Sequence, residues 1–216
     1  MTGAHRPGWA VIIPVKPTAV GKSRLERPTV DRTTLARAIA LDTIAAAAAC
    51  PSVDQVYVVT DDGALVALAF DIPGLRFVPE DDGTGRPRGI DTAVAVGADA
   101  AGLGMPRAAL LGDLPSLRPE DLGAALTAAG ASDRAAVPDA EGTGTTLVTA
   151  ASGIPLLTSF GARSYARHVE LGCVPLEIAD ASSLRHDVDT AAQLEVAAEL
   201  GLGPRTAALL AAQSSR

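Results

Sequence analysis

An aliphatic run that ends on an acid constrains this chain more than any other stretch. Ala109, Leu110 and Leu111 are followed by Gly112, Asp113, Leu114 and Pro115. The run reads as a buried strand. Gly112 then frees the backbone, and Pro115, which has no amide hydrogen, keeps the ladder from continuing. Asp113 is thereby delivered to the carboxyl end of a strand, the edge at which open α/β sheets hold ligands. Asp187 and Asp189 come much later, with Val188 between them, and in an extended segment that spacing turns both carboxylates to one face. Carboxylates gathered at a sheet edge from separated segments are how a protein holds Mg2+ against substrate phosphates.

The remaining pattern supplies the sheet. Residues 9–15, 55–60 and 75–78 read as strands, like the run at Ala109. Helices are expected over 31–50, from about 63 to 70, and over 89–102. Asp31 suits an N-cap, and Pro51 falls just past the end of the first helix. This alternation predicts an α/β, Rossmann-like architecture: a mostly parallel sheet flanked by helices on both faces. Farther on, strands are expected over 135–137, 145–150 and 173–178, and helices over 162–171, 190–200 (capped by Asp189 or Thr190) and from 204 onward. With 216 residues and no repeat or low-complexity linker, residues 1–216 are expected to form a single domain.

The net charge of −7 offers no basic field, so neither nucleic acid nor an anionic membrane is an expected partner. No stretch reaches the roughly 18–20 apolar residues that span a bilayer, and the cytoplasm is the expected address. Cys50 and Cys173 lie far apart in apolar surroundings and are expected to be buried, reduced thiols.

An anionic small substrate then needs a local concentration of cations. The stretch Lys16-Pro-Thr-Ala-Val-Gly-Lys-Ser-Arg24 directly follows the first strand. Lys16, Gly21, Lys22, Ser23 and Arg24 make a reasonable triphosphate loop, although the Walker A spacing is not met; a solvated basic loop is the plainer alternative. Asp113 could equally cap a turn, and Asp187 and Asp189 could cap the helix that follows. Thr145 belongs to a hydroxyl-rich turn, a candidate cradle for a small phosphorylated acid. Gly161, Arg163 and Ser164 open a helix whose free amides suit an anion. None of His5, His168 and His186 stands out as catalytic, and no GxSxG elbow points to a serine hydrolase.

Taken in order, Ile12-Ile-Pro-Val-Lys16, Gly21-Lys-Ser-Arg-Leu25, Leu111-Gly-Asp-Leu-Pro115, Gly142-Thr-Gly-Thr-Thr146, Phe160-Gly-Ala-Arg-Ser164 with Arg167-His168, and Leu184-Arg-His-Asp-Val-Asp-Thr190 resemble the family of 2-phospholactate / phosphoenolpyruvate guanylyltransferases of coenzyme F-420 biosynthesis. The resemblance runs over nearly the whole chain and implies a nucleotidyltransferase fold. It also implies GTP on the Lys16–Arg24 loop, with Lys22, Arg24 and Asp113 catalytic, and Mg2+ on Asp113, Asp187 and Asp189. The phospho-acid would lie on Thr145, Gly161, Arg163 and Ser164, and the product would be handed to the next pathway transferase. Phosphoenolpyruvate is the favoured acid and 2-phospholactate the alternative; a molybdopterin or sugar-phosphate nucleotidyltransferase, or a non-catalytic nucleotide-binding module, are the rival readings. At one position the chain departs from its relatives: Asp91 stands where they usually carry Asn, keeping an acceptor and losing a donor at a position expected to contact the nucleotide.

Overall fold

The computed structural model describes residues 8–16, 31–80 and 89–214. Its centre is strand β1 (Trp9–Pro14), all six residues of which are buried. Helix α1 (Arg32–Ala49) follows, and the Asp31 carboxylate caps it by accepting the Thr34 amide at 2.8 Å. Then come β2 (Val53–Val59), α2 (Gly63–Leu68), β3 (Leu75–Val78), α3 (Ile90–Ala101) and β4 (Arg107–Leu110). The second half contributes α4 (Pro119–Ala129), β5 (Arg134–Pro138), β6 (Thr145–Ala150), α5 (Ser164–Glu170), β7 (Val174–Pro175), α6 (Ala191–Leu200) and α7 (Pro204–Ser214).

The strands form one seven-stranded sheet in the order β3-β2-β1-β4-β6-β5-β7. β1 pairs in parallel with β2 and β4, β2 with β3, and β5 with β7, whereas β6 runs antiparallel to both β4 and β5. The period of two along β1 divides the core. Val11 and Ile13 face α1, α2 and α4, while Ala10 and Ile12 face α3. Helix α3 lies so close to the sheet that a Cβ on Gly97 would meet Ile12 Cγ2 at 2.5 Å and Val59 Cγ2 at 2.8 Å. Cys50 and Cys173 are free and buried, as expected.

Two elements differ from the sequence expectation. Helix α4 was not anticipated, although Pro119 at its first turn, Glu120 and Asp121 beside it, and buried Leu122, Ala125, Leu126 and Ala129 form a helical signature. The strand expected over 173–178 shrinks to Val174–Pro175, because it has only the edge of β5 to pair with and Pro175 has no amide to donate.

Reversal of β6 positions the site. In a purely parallel sheet, only strand ends reach the ligand edge. Here Leu110 pairs with Leu147 and the Leu111 amide donates to Thr146 O at 3.0 Å, so the start of β6 meets the end of β4. Thr145 therefore emerges beside the segment leading to Asp113, and the β5–β6 turn with Asp139 and Glu141 overhangs the same edge.

Candidate active site

Gly112 makes a close approach where β4 leaves the sheet: a Cβ there would stand 3.2–3.3 Å from Val15 Cγ2, Ile13 Cγ2 and Pro14 O, tight enough that these neighbours would have to shift. Past this close approach opens a cavity of about 210 Å³, lined among others by Lys16, Ile90, Gly112, Asp113 and Asp189. A larger hollow of about 590 Å³ lies at the opposite edge, around Trp9, Ser52, Asp54 and Pro106. We place the site at the smaller cavity because the clustered carboxylates and cation are there.

The acidic corner is held by backbone. The Val188 amide donates to Asp113 O at 3.0 Å, clasping the two expected acidic segments together. Asp187 is the electrostatic centre. Its Oδ1 is buried and has no hydrogen-bond partner among the described residues. Burial pushes its pKa up to about 8, reinforced by the negative charges of Asp113, Asp139 and Asp189. One ligand oxygen each from Asp187, Asp139 and Glu141 lie within 4.8 Å of one another. Asp139 is fixed by the Thr143 and Gly144 amides at 2.9 and 2.7 Å, and Glu141 by Gln193 Nε2 at 3.1 Å. A buried oxygen without a donor, inside a set of hard oxygen ligands, fits a divalent cation.

Sequence reasoning named Asp113, Asp187 and Asp189 and missed Asp139 and Glu141. Both acids lie in the 138–144 turn, where the signal that could identify them is their closeness in sequence to each other. The alternative of capping is resolved in part: α6 is capped by Thr190, whose side chain accepts the Gln193 amide at 3.2 Å while Gln193 Oε1 accepts the Thr190 amide at 3.0 Å, a reciprocal capping box. Asp189 is not the cap.

The second corner is neutral. Thr145, Ser164 and His168 are all buried. Ser164 Oγ lies 3.2 Å and His168 Nδ1 2.9 Å from Thr145 Oγ1, and the Ser159 amide donates to His168 Nε2 at 2.9 Å. Arg167 clamps the preceding loop through the carbonyls of Ser159, Phe160 and Ala162. Asp91 Oδ1 accepts the Phe160 amide at 2.9 Å; this contact needs only an acceptor, which Asp and Asn both provide. Gly161 has φ +107, a conformation that disfavours a side chain. Arg163 is exposed at φ 56, the only non-glycine residue with positive φ among the described residues. Lys16 is exposed at the cavity, while Gly21, Lys22, Ser23 and Arg24 lie outside the described residues, as does His5.

A mostly parallel sheet with one reversed strand, and acids converging at its carboxyl edge, is the arrangement of a nucleotidyltransferase fold. A solved nucleotidyl transferase from Methanothermobacter superposes with a TM-score of 0.57 at 18% identity, covering 89% of this chain and 97% of that one. The family is more specific: residues 9–202 match the family described as "Guanylyl transferase CofC like", and the chain belongs to it. The phosphoenolpyruvate guanylyltransferase of Salinispora arenicola is 49% identical over 206 residues, covering 93% of this chain and 92% of that protein. That of Streptomyces scabiei is 47% identical, covering 94% and 96%. No helix among the described residues is long and apolar enough to cross a membrane.

Proposed function

We propose that this chain, acting as a single cytoplasmic domain, joins the GMP moiety of GTP to phosphoenolpyruvate in coenzyme F-420 biosynthesis. The products are enolpyruvyl-diphospho-guanosine and diphosphate. The observation that carries the reading is the family match over residues 9–202, combined with near full-length similarity to relatives named for this reaction.

A phosphate oxygen of the acid attacks the α-phosphorus of GTP. One P–O bond forms, the bond to the β-phosphate bridging oxygen breaks, and the electron pair leaves with diphosphate. A phosphomonoester with its second pKa near 6 is already mostly dianionic at neutral pH, so no general base is required. The histidines agree. Burial holds His168 down at about pKa 4, and His186 Nε2 is hydrogen-bonded to Asp180 O at 3.0 Å.

The task is to bring two polyanions together in line. Lys16, with Lys22 and Arg24, draws in the triphosphate over Gly21 and Ser23, and Asp91 braces the loop at Phe160 that leads to the phospho-acid corner. Asp113, Asp187 and Asp189, helped by Asp139 and Glu141, hold Mg2+, which supplies charge neutralisation and leaving-group stabilisation. Thr145, Gly161, Arg163 and Ser164 hold the phospho-acid. The product is then handed to the next transferase of the pathway.

A diphosphate-release assay with Mg2+, each nucleoside triphosphate and each phospho-acid tests the reading. Release with GTP and phosphoenolpyruvate is expected. Release only with 2-phospholactate reassigns the acid, a preference for CTP reassigns the nucleotide, and binding without release makes the chain a nucleotide-binding module.

A further inference from the structure

We propose that His168 is a positioning residue that makes the Thr145–Ser164 hydroxyl pair an obligatory hydrogen donor toward the phospho-acid. The proposal rests on the reading above that these hydroxyls face that substrate.

The argument is a count of protons. The Ser159 backbone amide can only donate, and it donates to His168 Nε2 at 2.9 Å. Nε2 therefore carries the lone pair, and the proton of the neutral ring sits on Nδ1. Burial keeps the ring neutral, with Asp91 opposing and Arg167 adding to that effect. The peptide unit that follows the Ser159 amide is held from both sides. Arg167 Nε and Nη2 hold Ser159 O at 3.2 and 2.9 Å, and Asp91 holds the next amide, that of Phe160.

Nδ1–H accordingly donates to Thr145 Oγ1 at 2.9 Å. Thr145 and Ser164 own two hydroxyl protons between them, and their mutual contact at 3.2 Å consumes one. The imidazole cannot accept the other, because its facing nitrogen is already a donor. Whichever hydroxyl donates within the pair, one proton must point out of the trio. Were the ring protonated on Nε2 instead, Nδ1 would take that proton and the pair would have none to offer. Carboxylate and phosphate oxygens accept hydrogen bonds and bring no proton at neutral pH, so only the first arrangement suits such a ligand. The tautomer, set by one backbone amide, decides whether the pair recognises an anion.

The test uses the full-length protein. Nitrogen NMR of histidine-labelled wild type should show His168 protonated at Nδ1 and bare at Nε2 at pH 7; an Nε2–H ring or an imidazolium overturns the proposal. In steady-state kinetics, His168→Leu should raise KM for phosphoenolpyruvate about tenfold or more, the range of a lost hydrogen bond to a charged group, with KM for GTP unchanged. His168→Asn, which can place an amide N–H near Nδ1, should recover most of that loss; failure to recover it overturns the proposal in favour of a packing role. Thr145→Val separates this inference from its premise. If Thr145→Val raises that KM and His168→Leu does not, the inference fails alone. If neither Thr145→Val nor the double variant Thr145→Val/Ser164→Ala changes that KM, the placement of the substrate fails and the inference goes with it. Should His168→Leu not fold, the wild-type spectrum and His168→Asn still decide.

Discussion

The two corners of the site bury titratable groups for opposite ends. In the acidic corner, burial and three neighbouring carboxylates push Asp187 up to about 8; in the neutral corner, burial pushes His168 down to about 4. Both environments favour the uncharged form, because low-dielectric surroundings penalise charge of either sign. They differ in what relieves the penalty. His168 is satisfied by protein groups, receiving the Ser159 amide and donating to Thr145. Asp187 Oδ1 has no such partner among the described residues. The imidazole ring is fully satisfied within the fold, whereas the buried Asp187 oxygen suits a cation.

The largest expected effect breaks the acidic corner. Asp187→Asn or Asp113→Asn should lower kcat by about 100-fold or more, since a bound metal contributes several kcal/mol of charge stabilisation. Diphosphate release at saturating substrates measures this, and wild-type turnover in either variant removes that residue from the mechanism.

Next comes stability against pH without divalent metal. A carboxyl whose pKa rises from 3.8 unfolded to about 8 folded contributes stability that is full below pH 3.8 and lost as pH rises toward 8. The unfolding free energy in chelator should therefore fall across that window, by on the order of a few kcal/mol, and thermal melts should shift down with it. Asp187→Asn should flatten the slope, and Mg2+ should restore the melting temperature at pH 8. An unchanged slope in Asp187→Asn would show that Asp187 does not titrate there.

His168 should give the opposite slope. Its pKa falls from 6.5 unfolded to about 4 folded, so its contribution is present above 6.5 and lost as pH drops through 4. The magnitude should be about 3 kcal/mol. Comparing His168→Asn with wild type between pH 4 and 7 isolates it; parallel curves would mean that His168 titrates normally.

The smallest effect sharpens the boundary of the acidic corner. Gln193→Ala removes half of the capping box and the partner of Glu141. It should cost about 1 kcal/mol in urea unfolding and weaken the metal dependence of activity modestly. Unaltered metal dependence would place Glu141 outside the cation site.

Local patterns carried much of the fold into the sequence. The apolar run of β1, the Asp31 cap of α1 and the apolar stretch that stops before Asp113 each declare themselves within a few residues. Helix α4 carries equally local signals in Pro119, Glu120 and Asp121. What sequence could not declare is the non-local pairing. Nothing in residues 145–150 says that this strand runs against β4, so the meeting of Thr145 with the Asp113 segment had to be seen. The role of His168 is more hidden still, since a peptide N–H at Ser159 decides it and every residue except proline has one.

The clasp between the Val188 amide and Asp113 O has a consequence for evolution as well as for experiment. Main-chain atoms survive nearly every substitution, so the separation of the two acidic segments is inherited from the polypeptide rather than from the side chains it displays. Acid-to-amide replacements can therefore subtract charge while leaving the scaffold's spacing intact. Lineages could retune which ion or triphosphate is accommodated without re-engineering the frame.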